Sequence, residues 1–367
     1  MIELTEATHK ETVSIFTEIE DMNHEQVVLC HDKETGLKAI IAIHNTVLGP
    51  AMGGTRMWNY ATDQEALTDA LRLSRGMTLK NSIAGLNIGG GKAVIIGDAS
   101  KIKNEALMRR FGKFVHSVSG RYYTAEDVNM TTRDMEYIRM ETPYVTGLPE
   151  YVGGAGDPSP YTAYGVYMGM KAAAKEAYGL DSLTGKKVLV QGTGNVGINL
   201  IDLLIKEGAL VTISDIFEDK IKRVTDRYKV EIIAPDQVAG ANVDIYAPCA
   251  LGGTLNHDSI ALLHCDIVAG AANNQLLHEI SDGQALVDKG ILYAPDFLIN
   301  GGGITNVYYE YAGNHSRERV MAQTELIYDT TLRVFEMSQK SAQTPHQSAI
   351  KIAEDRIKSI GNIKLPS

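Results

Sequence analysis

The alternation of apolar and polar positions predicts both strands and helices along the chain. Residues 26–30 and 37–43 are strand-like and are joined by a polar turn that ends in Gly36, which predicts a β-hairpin. Apolar residues at helical spacing predict helices at residues 11–22, 63–75, 105–118, 161–178, 198–207, 317–337 and 345–360. Short apolar runs predict further strands at residues 93–96, 121–125, 187–191, 210–214, 243–246, 267–268 and 291–293. Residues 49–56 are expected to be irregular.

Glycine and proline divide the chain into two predicted domains. Eight of the eighteen residues from 143 to 160 are Gly or Pro, a density typical of a linker or hinge. The chain has 367 residues, which is also long for a single hydrophobic core. We therefore predict an N-terminal α/β domain over residues 1–148 and a second domain over residues 149–329. Strands alternate with helices in the second domain, which is the pattern of a parallel, doubly wound sheet.

A glycine motif opens the second domain. The strand at 187–191 runs into Gly192-Thr193-Gly194-Asn195-Val196-Gly197, and a helix and a strand ending at Asp215 follow. This order within about 30 residues is the context of a dinucleotide-binding motif. The glycines allow backbone contact with a pyrophosphate, and Asp215 would accept hydrogen bonds from the ribose hydroxyls. A carboxylate there repels a 2′-phosphate, so the motif favours NAD, although Lys220 and Lys222 nearby leave NADP open.

Two lysines lie in an apolar stretch of the first domain. Lys80 and Lys92 are 12 residues apart, and the segment between them carries no other charge. Burial disfavours an ammonium group and a second cation lowers its pKa further, which is how a lysine becomes a base near neutral pH. We predict a turn at the three glycines before Lys92, where backbone would approach a ligand closely. A phosphate-binding loop is excluded because Leu86 and Ala93 replace its glycine and hydroxyl residue. Two surface lysines beside a glycine turn remain the alternative.

Two asparagines follow a predicted strand of the second domain. Asn273 and Asn274 come after the strand at 267–268, and ligands of doubly wound sheets bind at the carboxyl ends of the strands. We therefore expect these side chains to meet the nicotinamide or the substrate. An Asn-Asn turn without a ligand is the alternative.

Composition and charge exclude several classes of function. The net charge is −10 and no basic face is concentrated in the sequence, which argues against nucleic acid and anionic membranes as partners. No apolar run approaches the length of a membrane span and the N-terminus is acidic, so we expect a cytoplasmic protein. Cys30, Cys249 and Cys265 form no disulfide or metal-binding pattern, so we expect free cysteines and no metal.

Five motifs, in this order, resemble the Glu/Leu/Phe/Val (amino acid) dehydrogenase family. They are Gly49-Pro-Ala-Met-Gly-Gly-Thr-Arg56, Met77-Thr-Leu-Lys80, Gly89-Gly-Gly-Lys92, Thr124-Ala-Glu-Asp127 and Gly192-Thr-Gly-Asn-Val-Gly197. The resemblance runs from about residue 27 to the C-terminal helices and is nearest to the members that oxidise leucine. It implies an N-terminal substrate-binding and oligomerisation domain and a Rossmann-like NAD-binding domain. It also implies that the helices at about 330–367 pack back on the first domain and that the chain forms a homo-oligomer.

The resemblance assigns roles to three charged residues. The residue that matches Lys80 binds the substrate carboxylate, and the one that matches Lys92 is the catalytic lysine that activates water. The residue that matches Asp127 moves protons to and from the amino nitrogen, although Asp127 alone would also fit a helix cap before Thr131. The family commonly has Gly where this chain has Asn129. Asparagine tolerates a left-handed backbone well, so we expect the turn to be kept.

The resemblance also indicates the substrate. Glutamate-oxidising members have a lysine for the distal carboxylate where this chain has the apolar Met52, next to Gly53. Ala125 matches a position that is typically Ala in leucine-type members and Gly in phenylalanine-type members. Further substrate contacts are expected from Asn274, Ile304 and Val307. We therefore predict reversible, NAD-dependent oxidative deamination of leucine, isoleucine and valine to 2-oxo acids and ammonium. Glutamate or phenylalanine oxidation and catalytically silent NAD binding are the alternatives.

Overall fold

The protein consists of two compact units. A computed structural model describes residues 14–363. The first unit contains the described residues before 47 together with Pro50–Thr78 and Gly89–Val145. The second unit contains the described residues from 146 onward and two short segments, Val47–Gly49 and Leu79–Ile88. These two segments lie within the sequence of the predicted first domain but cluster with the second unit.

The first unit is built on a mixed six-stranded sheet. Its elements are α1 (Ile15–Asp21), β1 (Gln26–Asp32), β2 (Leu37–Asn45), β3 (Ala51–Met52), β4 (Thr55–Trp58), α2 (Asp63–Ile83), β5 (Gly89–Ile96), α3 (Ala99–Ile102), α4 (Glu105–Ser117), β6 (Tyr122–Tyr123) and α5 (Thr132–Arg139). The strand order is β1-β2-β5-β3-β6, and β4 also pairs with β5. The hairpin of β1 and β2 is antiparallel, as predicted, whereas β3 and β4 run parallel to β5. Residues 11–13 of the predicted first helix lie outside the described residues.

Helix α2 covers one face of this sheet. Its apolar positions are almost fully buried and pack against β2 and β5 in one cluster that contains Ile40, Ala42, Ala66, Leu67, Ala70, Leu71 and Val94. Lys92 pairs with Ala42, and Arg56 pairs with Val94. Because paired residues on neighbouring strands point to the same face, Lys92 and Arg56 both lie on the face that α2 covers.

The three glycines before Lys92 lie in a strand, so the predicted turn is wrong. A Cβ at Gly90 would lie 2.1 Å from both the backbone nitrogen and Oγ1 of Thr78. Glycine therefore lets helix α2 contact the backbone of β5 at this position. The helix also continues to Ile83, well past the predicted end at residue 75.

Two further predictions for the first unit are wrong in part. Residues 49–56 contain the short strands β3 and β4 instead of an irregular segment, and these strands are interrupted at Gly53 and Gly54. The predicted strand at 121–125 is reduced to Tyr122–Tyr123. Both differences arise because pairing with β5 or β3, which is distant in sequence, decides which residues are strand.

The second unit is a parallel sheet with intervening helices. Its elements are α6 (Ser159–Tyr178), β7 (Lys187–Gln191), α7 (Asn195–Glu207), β8 (Leu210–Ser214), α8 (Glu218–Thr225), β9 (Glu231–Ile232), β10 (Ile245–Pro248), α9 (His257–Leu262), β11 (Ile267–Val268), α10 (Glu279–Asp288), β12 (Leu292–Tyr293), α11 (Asp296–Ile299), α12 (Gly302–Tyr311), α13 (Arg317–Glu325), α14 (Ile327–Ser341) and α15 (Pro345–Gly361). Short 3₁₀ turns lie at Glu150–Val152 and Pro235–Gln237.

The strand order of the second sheet identifies a Rossmann-like fold. All six strands are parallel and follow the order β12-β11-β10-β7-β8-β9. The winding direction therefore changes between β7 and β10, which is the position where such sheets bind ligands. The structure confirms the predicted α/β fold class.

The C-terminal helices differ from the prediction in one respect. The predicted helix 317–337 is two helices, because Leu326 is a turn residue that ends α13 and precedes α14. Helix α15 contacts the end of α2: the Ser82 hydroxyl donates to the carbonyl of Ala353 at 2.7 Å. Arg356 Nη1 donates to the carbonyl of Leu86 at 2.8 Å. These partners belong to the segment Leu79–Ile88, which clusters with the second unit.

The three cysteines of the chain are buried or partly buried. Cys30, Cys249 and Cys265 are free, as predicted, and burial raises the pKa of each thiol to about 12. Among residues 14–363, no group of three His, Cys, Asp or Glu side chains is arranged to hold a metal ion. Within the same range, every helix is too short or too polar to cross a bilayer.

Candidate active site

Lys92 is a buried lysine on the central strand β5. Its residue is 5% exposed, and its Nζ lies 3.1 Å from Oδ2 of Asp127. Burial lowers the pKa of Lys92, Asp127 opposes that effect, and the charge of Arg56 lowers the pKa further. The structure thus provides Arg56 as the neighbouring cation, a role that sequence reasoning gave to Lys80. The lowered pKa makes Lys92 easier to deprotonate than an exposed lysine, as a general base requires.

Asp127 follows β6 and faces two cations. Its Oδ2 accepts a hydrogen bond from Nε of Arg56 at 2.9 Å and also contacts Lys92. Burial raises the pKa of Asp127, but Lys92 and Arg56 outweigh it and hold the pKa below its usual value. Thr131 itself caps helix α5 by accepting from the backbone N–H of Asp134, so the alternative of Asp127 as the helix cap is wrong.

The turn after Asp127 keeps the left-handed residue expected at Asn129. Its φ is +61°, and its side-chain Nδ2 donates to the carbonyl of Met57 at 3.0 Å. Lys103 Nζ donates to the carbonyl of Asn129 at 2.9 Å, and the N–H of Met130 donates to the carbonyl of Asp127 at 3.0 Å. These bonds fix the backbone that carries the carboxylate.

Two further residues of this cluster were missed by sequence reasoning. Asp69 accepts from Nη1 of Arg56 at 3.1 Å and from the Tyr60 hydroxyl at 2.5 Å, both through Oδ2. Asp69 lies on α2 between buried positions. A carboxylate beside the apolar face of a helix could have identified it from the sequence. Tyr60 gave no such signal.

The predicted substrate residues of the first unit lie together on adjacent segments. Met52 is fully buried and pairs with Gly90 and with Tyr123. Gly53 has no room for a side chain, since a Cβ there would lie 1.9 Å from the carbonyl oxygen of Gly91. Ala125 is half-buried, and its carbonyl accepts from the N–H of Thr55 at 2.8 Å.

The glycine turn of the second unit connects β7 to helix α7. Gly192 has φ +102°, and a Cβ at Gly197 would lie 2.0 Å from the carbonyl oxygen of Gly192. Gly194 is the N-cap of α7, and it supplies no side-chain cap. Apart from the adjoining chain, no described atom lies within 4 Å of where its Cβ would be. The N–H groups of the first turn of α7, including those of Asn195 and Val196, thus face an open position that suits a phosphate.

Asp215 is tied to the glycine turn. Its Oδ2 accepts from the N–H and the hydroxyl of Thr193, at 2.7 and 3.0 Å. Its Oδ1 accepts from the N–H of Phe217 at 3.0 Å. Partial burial raises the pKa of Asp215, but these bonds outweigh it and lower the pKa, so the residue is a carboxylate at neutral pH. Lys222 pairs with Asp226 at 2.7 Å, and so is not free to bind a 2′-phosphate without losing that partner.

Lys80 lies next to one of the predicted asparagines. Both belong to the second unit, and Nζ of Lys80 is 3.4 Å from Oδ1 of Asn273. Asn300, which sequence reasoning missed, donates to the same Oδ1 at 2.8 Å. Asn274 is exposed and has φ +53°. The structure therefore brings Lys80 together with Asn273, and it assigns Lys92 and Asp127 to the other unit.

The predicted substrate residues of α12 are on one helix. Ile304 is half-buried and Val307 is 8% exposed. Glu310 of the same helix accepts from the N–H groups of Gly147, Leu148 and Ala155, at 3.0, 3.3 and 2.9 Å. This helix therefore holds the glycine-rich segment that precedes α6.

Comparison with known proteins gives matches over nearly the whole chain. Residues 24–144 match the family model "Glu/Leu/Phe/Val dehydrogenase, dimerisation domain". Residues 153–218 and 216–361 match the model "Glutamate/Leucine/Phenylalanine/Valine dehydrogenase".

Relatives and solved structures agree with these matches. A leucine dehydrogenase of Thermoactinomyces intermedius is 52% identical over 345 residues, covering 94% of each chain. A valine dehydrogenase of Streptomyces virginiae is 48% identical over 337 residues, covering 91% of this chain and 94% of the relative. The crystal structure of L-tryptophan dehydrogenase from Nostoc punctiforme is 44% identical, with a TM-score of 0.83 and coverage of 95% and 99%. The sequence-based resemblance is confirmed: this chain is an amino acid dehydrogenase and belongs to the Glu/Leu/Phe/Val dehydrogenase family.

Proposed function

We propose that this enzyme catalyses the reversible, NAD-dependent oxidative deamination of leucine, isoleucine and valine. The observation that carries the proposal is the buried Lys92, whose Nζ lies 3.1 Å from the Asp127 carboxylate. A buried amine beside a carboxylate is an acid–base pair that a binding module would not require. The leucine and valine dehydrogenases among the relatives support the substrate class.

The glycine turn and Asp215 of the second unit support NAD as the cofactor. The pyrophosphate would be held by the N-terminus of α7 and by the backbone of Gly192, Gly194 and Val196. Asp215 would accept hydrogen bonds from the ribose hydroxyls, because each carboxylate oxygen can accept more than one bond. Asn273 would contact the nicotinamide side. When bound, NAD supplies the hydride acceptor for the α-carbon of the substrate.

The acid–base residues account for the remaining proton transfers. Lys80 would bind the substrate carboxylate through its ammonium group. Asp127 is a carboxylate before reaction, so it can accept a proton from the substrate ammonium as that nitrogen becomes an imine. Lys92, whose pKa is lowered by burial, would remove a proton from the water that attacks the imine carbon. Asp127 returns its proton to the nitrogen of the resulting carbinolamine, the carbon–nitrogen bond breaks as the hydroxyl oxygen becomes the carbonyl, and the hydroxyl proton passes to the departing ammonia. Ammonium and the 2-oxo acid leave, and Lys92 releases the proton taken from water to the solvent.

The side-chain specificity would follow from apolar residues. A glutamate carboxylate next to Met52 would be buried without a partner, which costs several kcal/mol. An aliphatic side chain would instead gain about 0.8 kcal/mol per buried methylene. The methyl group of Ala125 would crowd an aromatic ring. Gly53, Asn274, Ile304 and Val307 complete the proposed substrate set.

NADH formation with a panel of amino acids tests the proposal. The panel contains leucine, isoleucine, valine, phenylalanine, tryptophan and glutamate, and absorbance at 340 nm is followed. We expect kcat/KM for the branched-chain substrates to be well above that for the aromatic ones, with glutamate essentially inactive. A kcat/KM for phenylalanine, tryptophan or glutamate equal to that for leucine would contradict the specificity. NAD binding without any turnover would identify a catalytically silent protein.

A homo-oligomer is part of the same proposal. Residues 24–144 match a family model described as a dimerisation domain. Strand β1 is at the edge of its sheet and has Leu29 65% exposed, as an edge that contacts a second copy would. Light scattering during size-exclusion chromatography tests this, and a single-chain mass would contradict it. The cytoplasmic location stays a prediction from the sequence.

A further inference from the structure

We propose that Arg56 is a positioning residue for the acid–base pair, anchored by Asp69 and holding one carboxylate oxygen of Asp127 beside Lys92. The proposal rests on the function proposed above. It is carried by a chain of alternating charges, Lys92, Asp127, Arg56 and Asp69, in which each neighbour is within 3.1 Å. All four residues belong to the first unit.

Asp69, at the end of this row of charges, is held in place by the core. Asp69 lies on α2 next to Ala70, which is fully buried against the sheet, so the helix cannot move without losing core contacts. Its Oδ2 accepts from both Arg56 and the Tyr60 hydroxyl. Burial and the Asp69 charge raise the pKa of Tyr60 well above its usual value, so this hydroxyl remains a donor. Arg56 is therefore held at one end by fixed partners.

The guanidinium geometry explains why an arginine is needed. Nε of Arg56 donates to Asp127 while Nη1 donates to Asp69, so two sides of the planar group bind two carboxylates. Both cations that contact Asp127 use its Oδ2. Among the described residues, Oδ1 of Asp127 accepts no side-chain hydrogen bond, which leaves this oxygen for the amino group of a substrate.

The charges of the chain also act on Lys92 in opposite directions. The charged groups that act on Lys92 are Asp127 after β6, Arg56 on β4 and Asp69 on α2. The Tyr60 hydroxyl binds Asp69. Arg56 lowers the pKa of Lys92, whereas Asp69 raises it. Removing the charge of Arg56 should therefore make Lys92 harder to deprotonate. Removing the charge of Asp69, with Arg56 still present, should make Lys92 easier to deprotonate.

Charge-removing variants at the two positions test this. In the pH profile of kcat/KM for leucine oxidation, we expect the acidic limb of Arg56→Gln to move to higher pH and that of Asp69→Asn to lower pH. Misplacement of Asp127 should also lower kcat/KM of Arg56→Gln by roughly 10²-fold. Arg56→Lys keeps the charge but loses the planar fork, so its limb should stay near the wild-type pH while kcat/KM falls. Arg110→Gln is the matched control, since Arg110 pairs with Asp32 elsewhere in the unit.

A second readout separates this proposal from the proposed function. The folded protein is acetylated with acetic anhydride at a series of pH values, and labelling of Lys92 is quantified by mass spectrometry. Opposite shifts of the labelling curve in Arg56→Gln and Asp69→Asn support the proposal even if no amino acid is oxidised. In that case the proposed function fails and the positioning role of Arg56 stands. The proposal is overturned if the wild type is active and neither variant shifts the acidic limb or the labelling curve. It is also overturned if both variants shift them in the same direction.

Discussion

Two contacting histidines should make the first unit sensitive to acid. The rings of His24 and His44 are 4.7 Å apart, and partial burial lowers the pKa of each from 6.5 to about 4. The charge of His44 also lowers the pKa of His24, and the charge of Arg75 also lowers that of His44. His44 Nε2 donates to the carbonyl of Met22 at 3.0 Å, so its Nδ1 accepts from the hydroxyl of Thr78 at 2.7 Å. Thr78 in turn contacts Gly90 of the strand that carries Lys92. Protonation would therefore disturb the support of the proposed catalytic lysine.

The sign and size of the effect follow from the pKa of His24. Because the pKa of His24 is lower in the folded state, the unfolded chain binds more protons at acidic pH. The contribution of His24 to stability is therefore fully present above pH 6.5 and is lost as the pH falls towards 4. A change from 6.5 to about 4 corresponds to a loss of about 2 kcal/mol between pH 7.5 and pH 5. His24 is only half-buried and solvent screens part of this, so we expect about 1–2 kcal/mol.

The variant His24→Gln isolates this contribution. A glutamine amide can donate to the Ser74 hydroxyl, which lies 2.7 Å from Nε2 of His24, but it does not titrate. Urea unfolding at pH 7.5 and pH 5, at one protein concentration, gives the loss of stability for each protein. Carboxylates that titrate in the same range contribute equally to both, so the variant should lose about 1–2 kcal/mol less than the wild type. An equal loss in the two proteins would refute the role of the histidine pair.

Three further changes have defined outcomes. Asp215→Ser should narrow the preference for NAD over NADP, measured as the ratio of kcat/KM values; a wild type that uses both cofactors equally would contradict the role of Asp215. Ala125→Gly should raise kcat/KM for phenylalanine relative to leucine, and an unchanged ratio would remove Ala125 from the specificity argument. Glu310→Gln cannot accept all three backbone hydrogen bonds, so amide hydrogen exchange at residues 147–155 should be faster than in the wild type, and unchanged protection would contradict that role.

Local signals made the second unit predictable. Strands β7 and β8 match the sequence-based boundaries because each is a short apolar run whose ends are encoded within a few residues, by the glycine turn after β7 and by Asp215 after β8. The alternation of strands and helices predicted a parallel, doubly wound sheet, and the structure has one. The break at Leu326 was not predictable in this way, because no glycine or proline marks it.

The cluster around Lys92 depends on contacts that are distant in sequence. Lys92 and Asp127 were identified by resemblance, and burial of Lys92 agrees with the expected lowering of its pKa. Arg56 and Asp69 join them only because β4 pairs with β5 and α2 packs over β5. The glycines before Lys92 were misjudged for the same reason, since their neighbour is Thr78 on α2.

Turnover by Lys92→Ala tests the central claim most directly. If Lys92 is the base of leucine oxidation, kcat should fall by roughly 10²–10⁴-fold, the usual effect of removing a positioned acid–base group. Binding of NADH, followed by its fluorescence, should be unchanged. The control variant Lys113→Ala, which changes a 60% exposed side chain of the same unit, should retain full turnover. Undiminished NADH formation from leucine by Lys92→Ala would contradict the account.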